Sequence, residues 1–261
     1  MKKILITGGN GYIAKSLISA FKDKYEITGI NRKNFDLLDE TSVNDWFHDK
    51  HYDLLIHTAI IGGRRLVIDE SDVLSKNLSM YNNLMNNKKH FDKFISFGSG
   101  AEFFQPHTPY GQSKKIIADS IKNTENAYNL RIFGVFDENE EDTRFIKSNL
   151  VKYIKNQPML VHSNKIMDFI YMKDLISIVE YYINNNNLEK EINCCYENKV
   201  TLKNIVTYIN SLGKYQVPII IQDKTKFDFY CGDGELPVKT IGLEQGIQNT
   251  HKILQKNYLC F

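Results

Sequence analysis

Ser99, Tyr110 and Lys114 are of the types, and at the spacing, that can together protonate a carbonyl oxygen. On a helix, Tyr110 and Lys114 stand one turn apart on a shared face. An ammonium beside a phenol favours the phenolate, which lowers the tyrosine pKa towards neutrality and makes it a usable general acid or base. Ser99, eleven positions before Tyr110, would hold the reacting oxygen. Of the 15 tyrosines only Tyr110 has a lysine four positions on, and it lies one strand and one loop downstream of Ser99 in a chain that opens with a phosphate-binding turn.

That turn is Thr7-Gly8-Gly9-Asn10-Gly11-Tyr12-Ile13-Ala14, directly after the apolar run Ile4-Leu5-Ile6. Buried strand, glycine turn and amphipathic helix follow one another as a dinucleotide fold requires. Gly8 and Gly11 permit the tight turn and the close approach of backbone N–H groups to a pyrophosphate at the positive end of the helix. Ala14 takes the third small position, where helix packs on strand. A fold of this kind that prefers NAD usually carries an acid at the end of its second strand to hold the ribose 2′-hydroxyl, and NADP use replaces it with arginine. Here that strand runs Ile27-Thr28-Gly29-Ile30 into Asn31-Arg32-Lys33. Two cations stand at the tip, and a guanidinium fits a 2′-phosphate in a bidentate way. NADPH is therefore the expected cofactor, with Asp36 and Asp39 flanking the adenine.

The elements that would position these residues are legible as an alternation. Apolar runs near 3–7, 26–30, 53–57, 93–97 and 129–133 read as buried parallel strands, each followed by a helical pattern. Thr41 or Ser42 is a candidate cap for the helix before the third strand, and a long helix is expected from about 71 to 89. The expected fold is α/β: a doubly wound parallel sheet with right-handed crossovers and a ligand outside the carboxyl ends of the strands, where Thr7, Ala59, Ser99 and Gly134 fall. Beyond residue 157 the pattern loosens into short strands (159–161, 192–194, 217–221) between helices starting near Lys173, Leu202 and Leu243. We expect a dinucleotide-binding domain over 1–157 and a smaller, mainly substrate-binding α/β region over 158–261, with some of its segments packing back on the first.

Composition narrows the setting. A formal charge of +2 gives no nucleic-acid footprint, and no stretch is long enough to span a membrane. The opening Met1-Lys2-Lys3 is followed by too short an apolar run for a secretory signal. Cys194, Cys195, Cys231 and Cys260 lack framework or metal-site spacing and read as thiols in a reducing cytoplasm, with no metal site expected. Arg64 and Arg65 beyond Gly62-Gly63, and Arg144 with Lys147, could each meet a substrate diphosphate or simply be exposed loop cations. His107 reads as a surface loop residue and Trp46 as helix core.

These residues resemble the extended short-chain dehydrogenase/reductases that act on nucleotide sugars. The resemblance rests on Gly8 to Ala14, His57-Thr58-Ala59, Asn77, Ser99, Tyr110 with Lys114, Asp168-Phe169-Ile170-Tyr171 before Asp174-Leu175, and the tail Ile241 to Ile247. Among its branches, the stretch from Asn31 to Asp39 is similar to that of the GDP-fucose synthases, where the arginine matching Arg32 receives the NADP 2′-phosphate. The resemblance implies a cytoplasmic enzyme, often a homodimer through helices that include the Tyr110 helix. It implies cofactor contacts at Gly8, Gly11, Tyr12, Ile13, Asn31, Arg32, Lys33, Leu38, Asp39, Ala59, Asn77, Tyr110, Lys114 and Ile132. It implies substrate contacts at Ser99, Gly100, Ala101, Gly134 and Arg144.

Departures from the family pattern sharpen the expected reaction. The family's 4,6-dehydratases follow the catalytic hydroxyl with Asp-Glu, whereas this chain has Ser99-Gly100-Ala101. The Cys and His that carry protons for epimerisation in GDP-fucose synthases are matched by Ala101 and Arg144, neither of which exchanges protons near neutrality. Gly134 stands where the family commonly has Asn, Met167 replaces the Arg before Asp168, and the 104–109 loop is short, so the sugar nucleotide must be gripped differently. What stays intact is the hydride-transfer apparatus. The expected activity is NADPH-dependent reduction of the C4 ketone of a nucleoside-diphosphate 4-keto-(6-deoxy) sugar without 3,5-epimerisation. The alternatives are an NAD-retaining C4 epimerase of nucleotide sugars and an inactive nucleotide-binding scaffold.

Overall fold

The apolar runs of the N-terminal half form one central sheet because strands covered by helices on both faces must be apolar on both. The computed structural model describes residues 1–64 and 67–259. Its elements run β1 (Lys3–Thr7), α1 (Tyr12–Phe21), β2 (Glu26–Gly29), α2 (Glu40–Phe47), β3 (Tyr52–His57), α3 (Val73–Met85), β4 (Phe91–Ser99), α4 (Ala101–Phe104), α5 (Pro109–Lys122) and β5 (Ala127–Ile132). They continue with β6 (Val135–Phe136), α6 (Phe145–Ile154), β7 (Met159–Met167), β8 (Ile170–Tyr171), α7 (Met172–Asn184), β9 (Glu191–Cys194), α8 (Leu202–Asn210), β10 (Ile219–Tyr230) and α9 (Leu243–Leu259).

Two compact units emerge: Met1–Arg131 with Glu180–Ile192, and Ile132–Val179 with the chain from Asn193 on. This differs from a division at 157/158. The segment 180–192, which returns to the first unit, carries the C-terminal end of α7 and the start of β9, the outer strand of the sheet.

The first unit carries a six-stranded sheet in the order β2-β1-β3-β4-β5-β9, whose β1–β2, β1–β3 and β3–β4 pairs are parallel. Its register sets Thr7 opposite His57 and His57 opposite Ser96, which aligns the carboxyl ends of β1, β3 and β4. The strand order reverses between β1 and β3, the switch point where such sheets bind ligands. Leu5, Leu55, Phe94, Leu84 and Ile117 are buried in one core that fixes α3 and α5. The architecture is the mostly parallel Rossmann-type sheet with flanking helices that the alternation predicts.

Local signals set the ends of the site-bearing elements. The Asp39 carboxylate caps α2, accepting from Thr41 N–H at 3.1 Å and Ser42 Oγ at 2.5 Å, so the helix starts ahead of the hydroxyls expected to cap it. At α5, Thr108 Oγ1 accepts Gly111 N–H at 3.0 Å and Pro109 occupies the first turn.

The second unit packs α6, α8 and α9 with the parallel pairs β6–β8 and β7–β10 around Tyr153, Tyr171, Ile205 and Ile247. Strands β7 and β10 run well beyond the short segments expected, through a register shift between Asp223 and Phe227. Asp168 is buried there, its Oδ2 accepting from Lys199 Nζ and from Gly232 N–H, each at 2.8 Å. Among the described residues no helix is long and apolar enough to cross a membrane, and no three His, Cys, Asp or Glu side chains gather to hold a metal ion.

Candidate active site

The glycine turn takes its shape from steric demand. Gly8 has φ +66°, and a Cβ there would lie 2.9 Å from the Ala59 backbone; only glycine allows β1 and β3 to approach this closely at their ends. Gly9 N–H donates to the Ile30 carbonyl at 2.7 Å and Gly11 N–H to that of Gly8 at 2.7 Å. Gly11 then starts α1 with no side-chain cap. The positive helix end and its first N–H groups therefore face the turn, an anion-binding arrangement.

A cleft of about 500 Å³ opens beside this turn, lined by Gly8, Gly11, Asn31, Arg32, Lys33 and Ala59 together with Asn10, Ile30, Phe35, Asp36, Leu37, Thr58, Ile60, Ile61 and Met80. A dinucleotide's adenosine and pyrophosphate suit these residues: glycine backbone and a helix start for the phosphates, apolar side chains for the base, exposed Arg32 and Lys33 for further negative charge. Tyr12, Ile13, Leu38 and Asp39 lie outside this lining. Asp36, expected beside the adenine, is in the lining, and the Asp39 side chain caps α2.

Asn77 is buried and acts on the cleft wall from behind. Its Oδ1 accepts Ile61 N–H and its Nδ2 donates to the Ile61 carbonyl, both at 2.9 Å, and Nδ2 also reaches Ser113 Oγ at 3.1 Å. Ser113 Oγ donates in turn to the Tyr110 carbonyl at 2.7 Å. One amide side chain thus ties the cleft to the first turn of α5. The segment after Ile61 continues the link: Gly62 and Gly63 have positive φ, Gly63 N–H donates to Asp69 Oδ1 at 2.8 Å, and a Cβ on Gly63 would sit 2.7 Å from Tyr110 Cζ. Gly63 therefore packs against the phenol ring with no room for a side chain. Arg64 is exposed, and Arg65 lies outside the described residues.

Ser99, Tyr110 and Lys114 all belong to the first unit. Lys114 is buried, donates from Nζ to the Phe97 carbonyl at 2.6 Å, and carries that Nζ 5.8 Å from the centre of the Tyr110 ring. Burial lowers its pKa to about 8, and the charge of Glu102 pushes back upward. Ser99, at the carboxyl end of β4, is buried, and its Oγ accepts Ala101 N–H at 3.2 Å. The short α4–α5 connection exists because residue 111 is glycine: a Cβ there would collide with the Gln105 carbonyl. Below the triad, Thr7 Oγ1 and His57 Nδ1 share a 2.9 Å hydrogen bond, and burial together with the Lys114 charge lowers the His57 pKa to about 3. His57 is thus a neutral structural imidazole.

Ala101 is buried and Gly100 gives its carbonyl to Phe103 and Phe104 N–H, so both serve α4. Ile132, Gly134 and Arg144 belong to the second unit. A Cβ on Gly134 would lie 2.7 Å from the Phe169 ring, so an asparagine is sterically barred from this backbone. Arg144 is exposed at the start of α6, whereas Lys147 is buried and bound to the Glu140 carbonyl and to Asp142. His107 is exposed and Trp46 is half-buried against Phe35. Glu102 is the residue that motif reading misses. Its carboxylate is buried and accepts Ser99 N–H at 2.8 Å and Arg131 Nε at 2.7 Å; α4 is capped at Gly100 with no side-chain cap bond, so no capping signal marks it.

A mostly parallel Rossmann-type sheet with a glycine-turn cleft at its switch point defines a nucleotide-binding class of fold. The family model described as NAD dependent epimerase/dehydratase matches residues 4–195. The chain belongs to that family. No curated protein matches the sequence. Solved structures share the fold at low identity. A GDP-mannoheptose C4 reductase from Campylobacter jejuni with NADP bound is 16% identical, with a TM-score of 0.79 over 97% of this chain and 98% of that one. A UDP-glucuronic acid 4-epimerase from Bacillus cereus, in complex with UDP-glucuronic acid and NAD, is 17% identical, with a TM-score of 0.79 over 98% and 100%. A GDP-L-fucose synthetase from Naegleria fowleri is 16% identical, with a TM-score of 0.74 over 99% and 94%.

Proposed function

We propose that this protein is an NADPH-dependent reductase of the C4 ketone of a nucleoside-diphosphate 4-keto sugar, with Ser99, Tyr110 and Lys114 as its catalytic residues. The observation that carries the reading is the buried Lys114 ammonium 5.8 Å from the Tyr110 ring, anchored to the β4 strand that ends in Ser99, on a helix tied through Asn77 to a dinucleotide-sized cleft. Arg32 and Lys33 at the rim of that cleft, with no acid at the tip of β2, favour a 2′-phosphate over a 2′-hydroxyl.

The bound dinucleotide would be held by Gly8, Gly11, the start of α1, Arg32 and Lys33, and its reduced nicotinamide supplies two electrons and a hydrogen to the carbonyl carbon. Tyr110 gives its phenolic proton to the carbonyl oxygen. Lys114 would steady the tyrosine charge and would be the donor available to the ribose of a bound cofactor, while Ser99 would hydrogen-bond the oxygen as negative charge develops on it. Ala101 and Arg144 supply no proton carriers for epimerisation, so the reaction ends at reduction. The test is loss of NADPH absorbance with a panel of 4-keto nucleotide sugars. Turnover by the native protein and its collapse in Tyr110→Phe support the reading; isolation with tightly held oxidised NAD and interconversion of C4 epimers would replace it with the epimerase.

A further inference from the structure

The segment after β3 meets the phenol of Tyr110 through backbone alone, and a single carboxylate holds it there. Gly62 and Gly63 have φ of +83° and +69°, successive residues in the region that side-chain-bearing residues disfavour. Glycine enters that conformation freely and leaves it as freely, so such a turn keeps one shape only where its neighbours fix it. Before the turn, Asn77 binds both the N–H and the carbonyl of Ile61. At the turn itself, Asp69 Oδ1 accepts Gly63 N–H at 2.8 Å. The same oxygen packs on Gly62, where a Cβ would lie 2.7 Å from Asp69 Oδ1 and 2.8 Å from Val73 Cγ1. Val73 is buried at the start of α3, the helix that carries Asn77. Gly63 in turn packs on the Tyr110 ring: a Cβ there would fall 2.7 Å from Cζ, 2.8 Å from Cε2 and 2.9 Å from Cε1. Those are the hydroxyl-bearing carbon and its ring neighbours, so the contact is with the reactive end of the phenol.

We propose that Asp69 is a positioning residue for Tyr110: by pinning Gly62 and Gly63 it fixes the backbone wall against which the phenol is seated. This rests on Tyr110 being the proton donor of the reaction proposed above. Proton transfer needs donor and acceptor within hydrogen-bond reach, and a misplacement of about 1 Å costs on the order of 10²-fold in rate. The helix backbone behind the ring is set by Thr108, which accepts Gly111 N–H, and by Ser113, which donates to the Tyr110 carbonyl. Asp69 sets the wall that α5 does not supply. It acts as an acceptor oxygen rather than as a charge, since the group it binds is a neutral backbone N–H.

Two variants separate acceptor from charge. Asp69→Asn keeps an oxygen for Gly63 N–H and removes the charge; Asp69→Ala removes both. Each is made in the full chain, with Tyr110 intact for kinetics and with fluorotyrosine in its place for fluorine NMR, and thermal unfolding is followed alongside. In Asp69→Ala kcat should fall about tenfold with KM for NADPH and for the keto sugar within about twofold, the signature of lost alignment, and the fluorine resonance should shift or broaden. In Asp69→Asn kcat should stay within about twofold of native and the resonance should stay in place. Asp69 is half-buried in a loop, so both variants should fold. If Asp69→Ala does not, Asp69→Glu, which keeps the charge and carries the acceptor a methylene too far, takes its place with the same expectation. A merely structural role would lower the melting temperature and leave kcat and the resonance at native values, which overturns the proposal. An Asp69→Asn variant that loses as much as Asp69→Ala overturns it too, because the charge would then be what acts. If the native protein binds NADPH but reduces no keto sugar, the reductase reading fails, and the fluorine resonance still decides whether Asp69 seats the phenol.

Discussion

Lys114 Nζ lies 5.8 Å from the centre of the Tyr110 ring and is anchored by a 2.6 Å hydrogen bond to the Phe97 carbonyl. A buried cation held this way acts on the phenol as a fixed charge. Tyr110→Phe removes the transferable proton and leaves the ring, so turnover should fall by about 10²–10⁴-fold, the contribution of a positioned general acid. NADPH affinity, measured by fluorescence quenching, should change by less than about threefold, because uniform binding is not what the proton transfer supplies.

Gly63 tests how the phenol is seated. Its φ is +69°, and a Cβ at this position would lie 2.7 Å from Tyr110 Cζ, so alanine there strains the backbone and pushes the ring. Gly63→Ala should therefore cost about 1–2 kcal/mol of stability, the penalty of a left-handed non-glycine residue, and still fold. It should lower kcat by about tenfold through misplacement of the acid, with the melting temperature as the control.

Cofactor preference follows from the cleft rim. Arg32→Ala should lower kcat/KM for NADPH by about 10- to 100-fold, the value of a charge-assisted hydrogen bond to phosphate. The value for NADH should hold within about threefold. An equal drop for both cofactors would mean that Arg32 shapes the loop without reading the 2′-phosphate.

Acid stability has a specific source in His57. Its folded pKa of about 3 lies below the ordinary value of 6.5, so the unfolded chain binds the extra proton first. Stability is therefore full above pH 6.5 and falls as pH drops from there towards 3, by up to about 1.4 kcal/mol per pH unit from this group alone. Urea unfolding of the native protein at pH 7 and pH 5 should show this loss, and His57→Gln, which cannot be protonated, should flatten it.

Much of the fold is readable in the chain, for definite reasons. Strands buried on both faces appear as unbroken apolar runs, so Ile4 to Ile6 and Leu54 to Ile56 announce themselves. The glycine turn is readable because Gly8 meets a steric limit that composition records directly. The β7–β10 ladder is largely hidden. Strand β10 is mostly exposed and crosses a register shift between Asp223 and Phe227, so neither an apolar run nor a clean alternation marks it. The α2 cap at Asp39 is hidden because a helix cap and a cleft acid use the same residue type, and only the turn geometry shows the cap. Glu102 escapes for a related reason. Its hydrogen bond to Ser99 N–H is local, but its charged partner Arg131, itself paired with Glu191, lies 29 positions further along the chain.

The most direct test of hydride transfer to the sugar carbonyl is to incubate the protein with NADPH deuterated at both C4 positions and a 4-keto nucleotide sugar that it consumes, then locate the label by mass spectrometry and NMR. One deuterium bonded to C4 of the product sugar, formed about 10²–10⁴-fold more slowly with Tyr110→Phe, is the predicted result. Product with no deuterium at C4, or epimer interconversion without net consumption of NADPH, would contradict the account.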